Sequence, residues 1–440
     1  MLDIRTPKGT VDYGPLEAYI IDYILNTCTS IFKTHGAISL DTPTFELRDI
    51  LLNKFGDDEV QIYNLEDQGG DICSLRYDLT VGFSRYLAQT KLKKIKRYQM
   101  GKVFRRDQPA ITKGRYREFY QCDYDIAGDY LPMVADAEII QTATAILEKM
   151  NLGEFILKIN SRKILLGFAQ IIDVDQNKIN SAIDKLAKIG WDNVQKELIE
   201  KGVEKEKTEI LKNFIEIKTP TIENLKENKY LKELRNNAMA NEGIEDLMLL
   251  EKYLKIYNIK NYIFDFSLAR GANYYTGMIF EGFYDNYDCG AVVAGGRYDN
   301  LVEDFLSNPN MRVPCVGFSV GVMRIFSIIN NNKNINYNIT KVYISSSKQL
   351  FLEDRLSLLN ELWNNNINAE TYYNKRINIM EHKKYCKKND IPIMIVIGEE
   401  EIKNNEIDVL LVEEDINEKV KREDMIKYIK EKVDKKKKIL

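Results

Sequence analysis

Two segments with period-two alternation, Arg97–Phe104 and Arg117–Ile126, constrain the fold more than any other part of the sequence. Alternation of this kind is typical of β-strands, because successive side chains of a strand point to opposite faces of a sheet. The chain between the two segments is polar and contains glycine. We therefore predict a hairpin whose tip is long and charged.

One face of the second strand is unusually polar. The period of two places the following residues on it: Arg115, Arg117, Phe119, Gln121, Asp123 and Asp125. A solvent-facing strand of an antiparallel sheet is one explanation. A polyanion site is the other, because Arg105 and Arg106 end the preceding strand, and guanidinium groups bind phosphate in a bidentate manner while remaining charged. In that case both strands and the loop DQPAITKG surround the anion.

Three later motifs contain residues suited to binding a ligand. In LARGANYYTG, Arg270 precedes a glycine, and Tyr274 and Tyr275 follow, although tyrosines at strand spacing are usually core residues. In AGGRYDN, the paired glycines permit close approach of backbone to a ligand or a neighbouring strand, or form a plain turn. In GFSVGVMR, Arg324 ends an apolar run, which suits stacking on adenine or a helix end.

The composition changes along the chain indicate several domains. Residues 1–160 mix helical and strand patterns, and residues 161–254 are rich in Lys, Glu and other helix formers, which predicts a helical insertion. Strand patterns return over residues 255–330, so we expect one core domain split by the insertion. The polar, Asn-rich residues 331–339 indicate a linker. Alternating strand and helix patterns predict a compact α/β domain over residues 340–440.

Composition excludes several classes of function. The sequence has no apolar run long enough to cross a bilayer and its first residues lack the apolar core of a signal peptide, so we expect a cytoplasmic protein without membrane contact. The two histidines and six cysteines are scattered, which argues against metal sites made of His or Cys clusters and against a Ser-His-Asp triad. With a net charge of −3, a nucleic acid partner needs a local basic surface.

Several long motifs together resemble the histidyl-tRNA synthetases, a family of class II aminoacyl-tRNA synthetases. The resemblance is to the eukaryotic cytosolic type. KVFRRDQPAITKGRYREFYQCDYDIAG, SLARGANYYTG and VPCVGFSVGVMRIF resemble motif 2, the histidine-specific loop and motif 3, in that order. SLRYDLTVGFSRYLA, AGGRYDNLV, IRTPKGTVDYG and TPTFELRD also resemble family segments. The resemblance implies an α+β fold: an antiparallel sheet of six or seven strands with flanking helices, a helical insertion and a C-terminal α/β anticodon-binding domain. It also implies a homodimer to which motif 1, with Pro43, contributes.

The resemblance further implies a ligase that uses ATP and Mg²⁺ to activate L-histidine and transfers it to the 3′ end of tRNA(His). It places Arg105 at the ATP α-phosphate, Arg324 on adenine, Arg270 in place of a metal ion near the α-phosphate, and Arg115 at the histidine carboxylate or phosphate. Asp78, Thr80 and Gln121 would receive the α-ammonium group, Asp125 and Tyr275 would bind the imidazole, and Tyr274 and Tyr298 would line the pocket.

Two departures from the family pattern leave an alternative open. The family usually has Leu-Asp where this chain has Ala272-Asn273, and Glu where it has Met323. The alternative is a catalytically impaired, synthetase-like regulator that senses tRNA or histidine. A pure RNA-binding scaffold is a second alternative, but it does not explain the acidic face of the strand. Retention of Arg105, Gln121, Asp125, Arg270 and Arg324 together favours the enzyme.

Overall fold

The computed structural model describes residues 4–52, 54, 61–66, 69–175, 178–179, 183, 186, 189–225, 229–270, 274–306, 312–331, 338–347, 351–373 and 378–434. The chain forms two compact units, Met1–Asn332 and Lys333–Leu440. Most of the predicted linker, residues 332–337, lies outside the described residues, as do Ala272 and Asn273.

A large sheet forms the centre of the first unit. Its strands are β1 (Ile38–Ser39), β4 (Ile95–Phe104), β5 (Glu118–Ala127), β6 (Phe155–Ser161), β7 (Lys218–Thr219), β8 (Tyr262–Asp265), β9 (Met278–Tyr284), β10 (Val293–Arg297) and β11 (Cys315–Gly321), and β2 (Phe45–Leu47) pairs separately with β3 (Cys73–Leu75). In the described part of the unit, nine strands follow the order β1-β4-β5-β11-β10-β9-β6-β8-β7. All neighbours are antiparallel except β1 with β4 and β6 with β8. The expected six or seven strands are too few, because two-residue strands extend both edges.

The predicted hairpin is confirmed. β4 and β5 pair in antiparallel register from Ile95↔Ala127 to Phe104↔Glu118, and the loop between them contains a 3₁₀ turn at Ile111–Lys113. The apolar run after Val313 is divided, because β11 ends at Gly321 and a helix begins at Val322. Arg324 therefore lies in the first turn of that helix, where the helix dipole disfavours a cation.

Helices cover this sheet and make up most of residues 161–254, the predicted insertion, which also contains β7. They are α1 (Pro15–Thr34), α2 (Arg48–Leu51), α3 (Thr80–Thr90), α4 (Val134–Met150), α5 (Arg162–Ile171), α6 (Trp191–Glu200), α7 (Lys205–Ile215), α8 (Lys229–Arg235), α9 (Ala238–Ile256) and α10 (Val322–Asn330), with 3₁₀ turns at Ile222–Leu225 and Glu303–Phe305. Phe32 of α1 is fully buried and stacks on Tyr124 of β5 at 5.2 Å between ring centroids. In the insertion, Phe168 stacks on Phe214, which packs against Phe266 just after β8.

The second unit contains a mixed sheet. Its strands are β12 (Val342–Ser346), β13 (Ala369–Thr371), β14 (Ile393–Ile397), β15 (Glu406–Leu411) and β16 (Ile416–Lys421), in the order β13-β12-β14-β15-β16. Its helices are α11 (Leu352–Asn364), α12 (Ile379–Lys388), α13 (Glu399–Asn404) and α14 (Met425–Asp434), with a 3₁₀ turn at Arg422–Asp424. β12, β13 and β14 are parallel, whereas β14, β15 and β16 are antiparallel. The sequence did not predict the β15–β16 hairpin.

Candidate active site

The polar face of β5 is half-buried at Phe119 and Gln121 and buried at Asp123 and Asp125, so its interpretation as a solvent-facing strand is wrong. Asp123 and Asp125 each expose only 2% of their surface. β5 lies between β4 and β11, which places Gln99 and Ser319 beside Asp123, and Arg97 and Gly317 beside Asp125. Buried carboxylates require hydrogen bonds or counter-charges, so their neighbours define what this face can bind.

Asp125 is held from two sides. Arg97, which is fully buried, places Nη2 2.8 Å from Oδ2 of Asp125, and the hydroxyl of Tyr298 donates to Oδ1 at 2.5 Å. Burial raises the pKa of Asp125, and the charge of Arg97 opposes that rise. A Cβ atom on Gly317 would lie 1.9 Å from Oδ1, so the carboxylate occupies this position only because the residue is glycine.

Asp78 and Thr80 lie at the start of α3. Oδ1 of Asp78 accepts the backbone N–H groups of Thr80 and Val81 at 3.1 and 3.0 Å, which caps the helix. Oδ2 accepts the hydroxyl of Tyr274 at 3.2 Å. Burial raises the pKa of Asp78, although those hydrogen bonds and Arg105 partly counteract it. The side chain of Thr80 reaches Asp123, with 3.5 Å between Oγ1 and Oδ2.

Three tyrosines close this acidic pocket. The ring of Tyr274 lies 4.9 Å from that of Tyr275 and 6.0 Å from that of Tyr298, between centroids. Tyr298 exposes 1% of its surface. The pocket thus combines Asp78, Thr80, Asp123, Asp125 and these rings, all but Asp123 being predicted site residues.

A group of arginines adjoins the acidic pocket. Arg105 follows β4; its guanidinium lies 4.2 Å from the ring centroid of Tyr77 and 5.2 Å from that of Phe119, and Nε donates to the carbonyl of Tyr77 at 3.3 Å. Burial lowers the pKa of Arg324, and the positive charges of Arg115 and Arg105 add to this effect. The predicted phosphate ligands therefore interact electrostatically, and such repulsion favours an anion between them.

Arg270 has a single carboxylate partner among the described residues. Its Nη1 lies 2.6 Å from Oε1 of Glu281 on β9, and its guanidinium lies 5.5 Å from the ring centroid of Tyr275. Burial acts to lower the pKa of Arg270, but its neighbours Tyr275 and Glu281 raise it overall. The negative charge of Glu281 also favours the charged form of Arg324. It therefore connects the two arginines electrostatically.

The glycines of the AGGRYDN segment lie in a strand and not in a plain turn. β10 contains residues 294–297 of the segment, and a Cβ atom on Gly295 would lie 2.2 Å from the carbonyl oxygen of Gly317, so the glycines allow close approach to the neighbouring strand. Arg297 forms a buried ion pair with Asp136 and a second with Asp299 at 3.0 Å. The backbone N–H of Thr276 donates to the carbonyl of Arg297 at 2.8 Å. This bond fixes the segment with Tyr274 and Tyr275, called the tyrosine loop, beside β10.

Comparison with known proteins identifies the family. The family described as Histidyl-tRNA synthetase matches residues 9–325, and the one described as Anticodon binding domain matches residues 331–432. The chain belongs to the histidyl-tRNA synthetase family. A Bos taurus protein named "Histidine–tRNA ligase, mitochondrial" is 41% identical over 98% of this chain and 88% of its own.

Two further relatives agree with this family. A Vairimorpha ceranae protein named "Probable histidine–tRNA ligase, cytoplasmic" is 45% identical over 93% of this chain and 96% of its own. The crystal structure of histidyl-tRNA synthetase from Nostoc sp. PCC 7120 superposes with a TM-score of 0.83 at 27% identity, covering 98% of this chain and all of that one. The α+β class II synthetase fold expected from the resemblance is confirmed.

Three residues of this candidate site were not predicted: Asp123, Arg97 and Glu281. Asp123 was placed on the correct face, but it was given no role. Arg97 begins the first alternating segment and lies opposite Asp125, so strand register would have revealed it. No local signal distinguishes Glu281 from other strand residues.

Proposed function

We propose that the acidic pocket binds L-histidine and that the adjoining arginines align ATP for its activation, before transfer to the 3′ end of tRNA(His). The observation that carries this proposal is the adjacency of buried carboxylates, which suit a cationic amino acid, and clustered guanidinium groups, which suit phosphate. Ligase activity follows from membership of the family.

In the first step, an oxygen of the histidine carboxylate attacks the α-phosphorus of ATP and pyrophosphate leaves. The protein mainly aligns two anions and neutralises the charge that develops between them. We assign Arg105 and Arg270 to the α-phosphate, Arg115 to the histidine carboxylate or a phosphate, and Arg324 to the adenine face. The terminal hydroxyl of the tRNA then attacks the carbonyl carbon of the adenylate, and AMP leaves.

Selectivity for histidine rests on acceptors at both ends of the pocket. We assign Asp78, Thr80 and Gln121 to the α-ammonium group, and Asp125 and Tyr275 to the imidazole. Oε1 of Gln121 is buried without a hydrogen-bond partner, as expected of an acceptor that a ligand completes. Side chains without an N–H donor would leave such groups unpaired, which disfavours them by orders of magnitude.

Mg²⁺ enters this scheme as part of the ATP substrate. No group of three or more His, Cys, Asp or Glu side chains suited to a metal ion occurs within the described ranges, so phosphate oxygens would supply most of its ligands. Glu281 is the carboxylate beside the arginines that could add one. Bound Mg²⁺ would neutralise the charge of the departing pyrophosphate.

We assign the C-terminal unit to the tRNA anticodon, since the anticodon-binding family match covers residues 331–432. We also propose a homodimer through the motif 1 region. Phe45, Leu47 and Ile72 are exposed there on β2 and beside β3, next to a cleft of about 650 Å³ lined by Thr42, Pro43, Glu46, Arg85 and Phe305, among others. Exposed apolar side chains around a cleft are typical of an interface.

We propose a cytoplasmic location, because the Vairimorpha ceranae relative carries that word in its name. None of the described helices is long and apolar enough to span a membrane. The regulator alternative receives no support from the compared relatives, which are named as ligases.

Two assays test the proposed function. Pyrophosphate exchange that depends on histidine measures the first step, and charging of tRNA(His) with labelled histidine measures both. The proposal predicts activity in both assays for the full chain. A folded chain that binds histidine or tRNA without exchange would instead be the regulator.

A further inference from the structure

Asp123 occupies the centre of the acidic pocket, between the residues assigned to the two ends of histidine. It lies on β5 between Gln121 and Asp125 and is 2% exposed. Its Oδ2 lies 3.5 Å from Oγ1 of Thr80, whereas Oδ1 is buried and makes no hydrogen bond. The hydroxyl of Ser319 lies near Asp123 and favours the charged form of its carboxylate. Like Oδ1 of Asp123, the Ser319 oxygen makes no hydrogen bond.

Among the described residues no cation forms an ion pair with Asp123, although Arg76 and Arg97 act on it electrostatically. The two terminal nitrogens of the Arg97 guanidinium are engaged elsewhere: Nη2 lies 2.8 Å from Asp125 and donates to the carbonyl of Leu79 at 3.0 Å, and Nη1 donates to Oε1 of Gln99 at 2.7 Å. Its Nε makes no hydrogen bond. A buried carboxylate with an unused oxygen and no cation of its own destabilises a fold unless a ligand supplies donors.

The charged groups around Asp123 also leave its carboxylate without enough positive charge. Burial raises its pKa to about 7, the charge of Arg97 opposes the rise, and the charges of Asp125 and Asp78 add to it. The charged and titratable groups that face it are Arg97 from β4, Asp125 from β5, Asp78 and Arg76 from the segment before α3, and Tyr274 from the tyrosine loop. β11 presents the neutral Ser319 and Gly317 on this face.

We propose that Asp123 is a further histidine-binding residue whose Oδ1 accepts a hydrogen bond from the α-ammonium group of the substrate. Its contact with Thr80 places it at the ammonium end of the pocket. An ammonium group carries three donors and a permanent charge, so it can satisfy Asp123 together with Gln121 and Asp78. This inference rests on the proposed function and adds a charged acceptor to it.

Asp123→Asn tests the inference, because it keeps the shape and removes the charge. The histidine KM in pyrophosphate exchange should rise by about tenfold to a hundredfold, which is the effect of one charge-assisted hydrogen bond, while the ATP KM changes less than about twofold. Glu118→Gln is the matched control: it removes a carboxylate from the opposite face of β5, where Glu118 pairs with Lys102. It should leave both constants unchanged.

Imidazolepropionate, which is histidine without the α-ammonium group, identifies the contact. As an inhibitor competing with histidine it should bind the wild-type and Asp123→Asn chains equally or the variant more tightly. Equal weakening of histidine and imidazolepropionate would place Asp123 at the imidazole and overturn the inference. An unchanged histidine KM would also overturn it, whereas absence of exchange in the wild-type chain would overturn the proposed function itself.

Two further readouts separate binding from a structural role. Only ionised Asp123 attracts the ammonium group, so the wild-type to variant ratio of kcat/KM for histidine should rise as the pH increases through about 7. The titration of free histidine cancels in this ratio. Because the folded-state pKa is raised, charged Asp123 costs stability above that pH, so Asp123→Asn should match or exceed the wild-type Tm at pH 8. A lower Tm, with a flat ratio, would show a structural role instead.

Discussion

The two units bury polar groups in opposite ways. In the first unit, carboxylates outnumber their buried cations, and oxygens of Gln121 and Asp123 lack partners. In the second unit, the side chains of a buried, mostly neutral cluster bond to one another: Ser345 pairs with His382 at 2.8 Å and Ser346 with Tyr372 at 2.9 Å.

Arg355 completes that second cluster. Its guanidinium lies 3.8 Å from the ring centroid of Tyr372, and its Nη1 donates to Thr371, although its Nε has no partner. The comparison distinguishes a site that a ligand completes from a polar core that stabilises its own fold. Substitutions in the first cluster, which is the acidic pocket with its adjoining arginines, should therefore change catalysis. Substitutions in the second cluster, around His382 and Arg355, should change stability alone.

The largest effect is expected at the arginines. Arg105→Ala should lower kcat for pyrophosphate exchange by about 10²–10³-fold, because it removes a fixed positive charge from the developing phosphate charge. The Tm should change little, since within the described ranges the Arg105 side chain makes one long hydrogen bond, to Tyr77, besides its contacts with two aromatic rings. Arg106→Ala is the control, as Arg106 is exposed on the next position. An unchanged kcat in Arg105→Ala would remove Arg105 from the reaction.

Asp125→Asn should have the next largest effect. The histidine KM should rise by about tenfold to a hundredfold relative to the ATP KM, because a charge-assisted acceptor is lost. The Tm should also fall, since Arg97 keeps its buried charge without a counter-ion. Asp129→Asn, an exposed position after β5, serves as the control. An unchanged histidine KM would exclude Asp125 from the pocket.

Met323→Glu restores the usual family residue. It tests whether the first unit tolerates a buried carboxylate at this position. Met323 is 1% exposed, and its sulfur accepts the hydroxyl of Tyr13 at 3.7 Å. We expect a loss of about 3 kcal/mol in the free energy of unfolding, measured by denaturant titration, because the charge has no prepared partner. Met323→Leu should cost less than about 1.5 kcal/mol. A gain in ATP use at unchanged stability would show that the methionine weakens Arg324.

The smallest effect is expected in the second cluster. Burial lowers the pKa of His382, and the charge of Arg355 lowers it further. The unfolded chain therefore takes up a proton near pH 6.5 that the folded chain does not, so stability is lost as the pH falls from 7 to 5. His382→Gln should reduce this loss, seen as a Tm difference of a few degrees or less by circular dichroism. A changed rate of histidine-dependent pyrophosphate exchange in this variant would contradict the view that the second cluster affects stability alone.

Local patterns predicted the elements but not their environment. The β4–β5 hairpin and the parallel strands β12, β13 and β14 were predicted because alternation and apolar runs are properties of short segments. The burial of Asp123 was not, since alternation assigns a face without showing what covers it. The covering groups, such as Tyr274 and Ser319, lie more than 140 residues away in the sequence.

The division of the apolar run after Val313 shows a similar limit. The segment is mostly apolar, and only tertiary pairing ends β11 at Gly321, after which α10 begins at Val322. The β15–β16 hairpin was missed because the edge strand INEKVK is largely exposed and charged. The site assignments came from long motifs that resemble the family, and Asp123 and Arg97 emerged only from strand register.

Hydrogen exchange of the full chain with and without histidine tests the central claim most directly. If histidine completes the first cluster, amide protection should increase around residues 78–81, 121–125 and 274–298, because bound ligand stabilises the folded state there. Residues 342–346 and 378–397 of the second unit should exchange at unchanged rates. Protection confined to the second unit, or no change anywhere at saturating histidine, would contradict the claim that the unpaired carboxylates of the first unit form the histidine site.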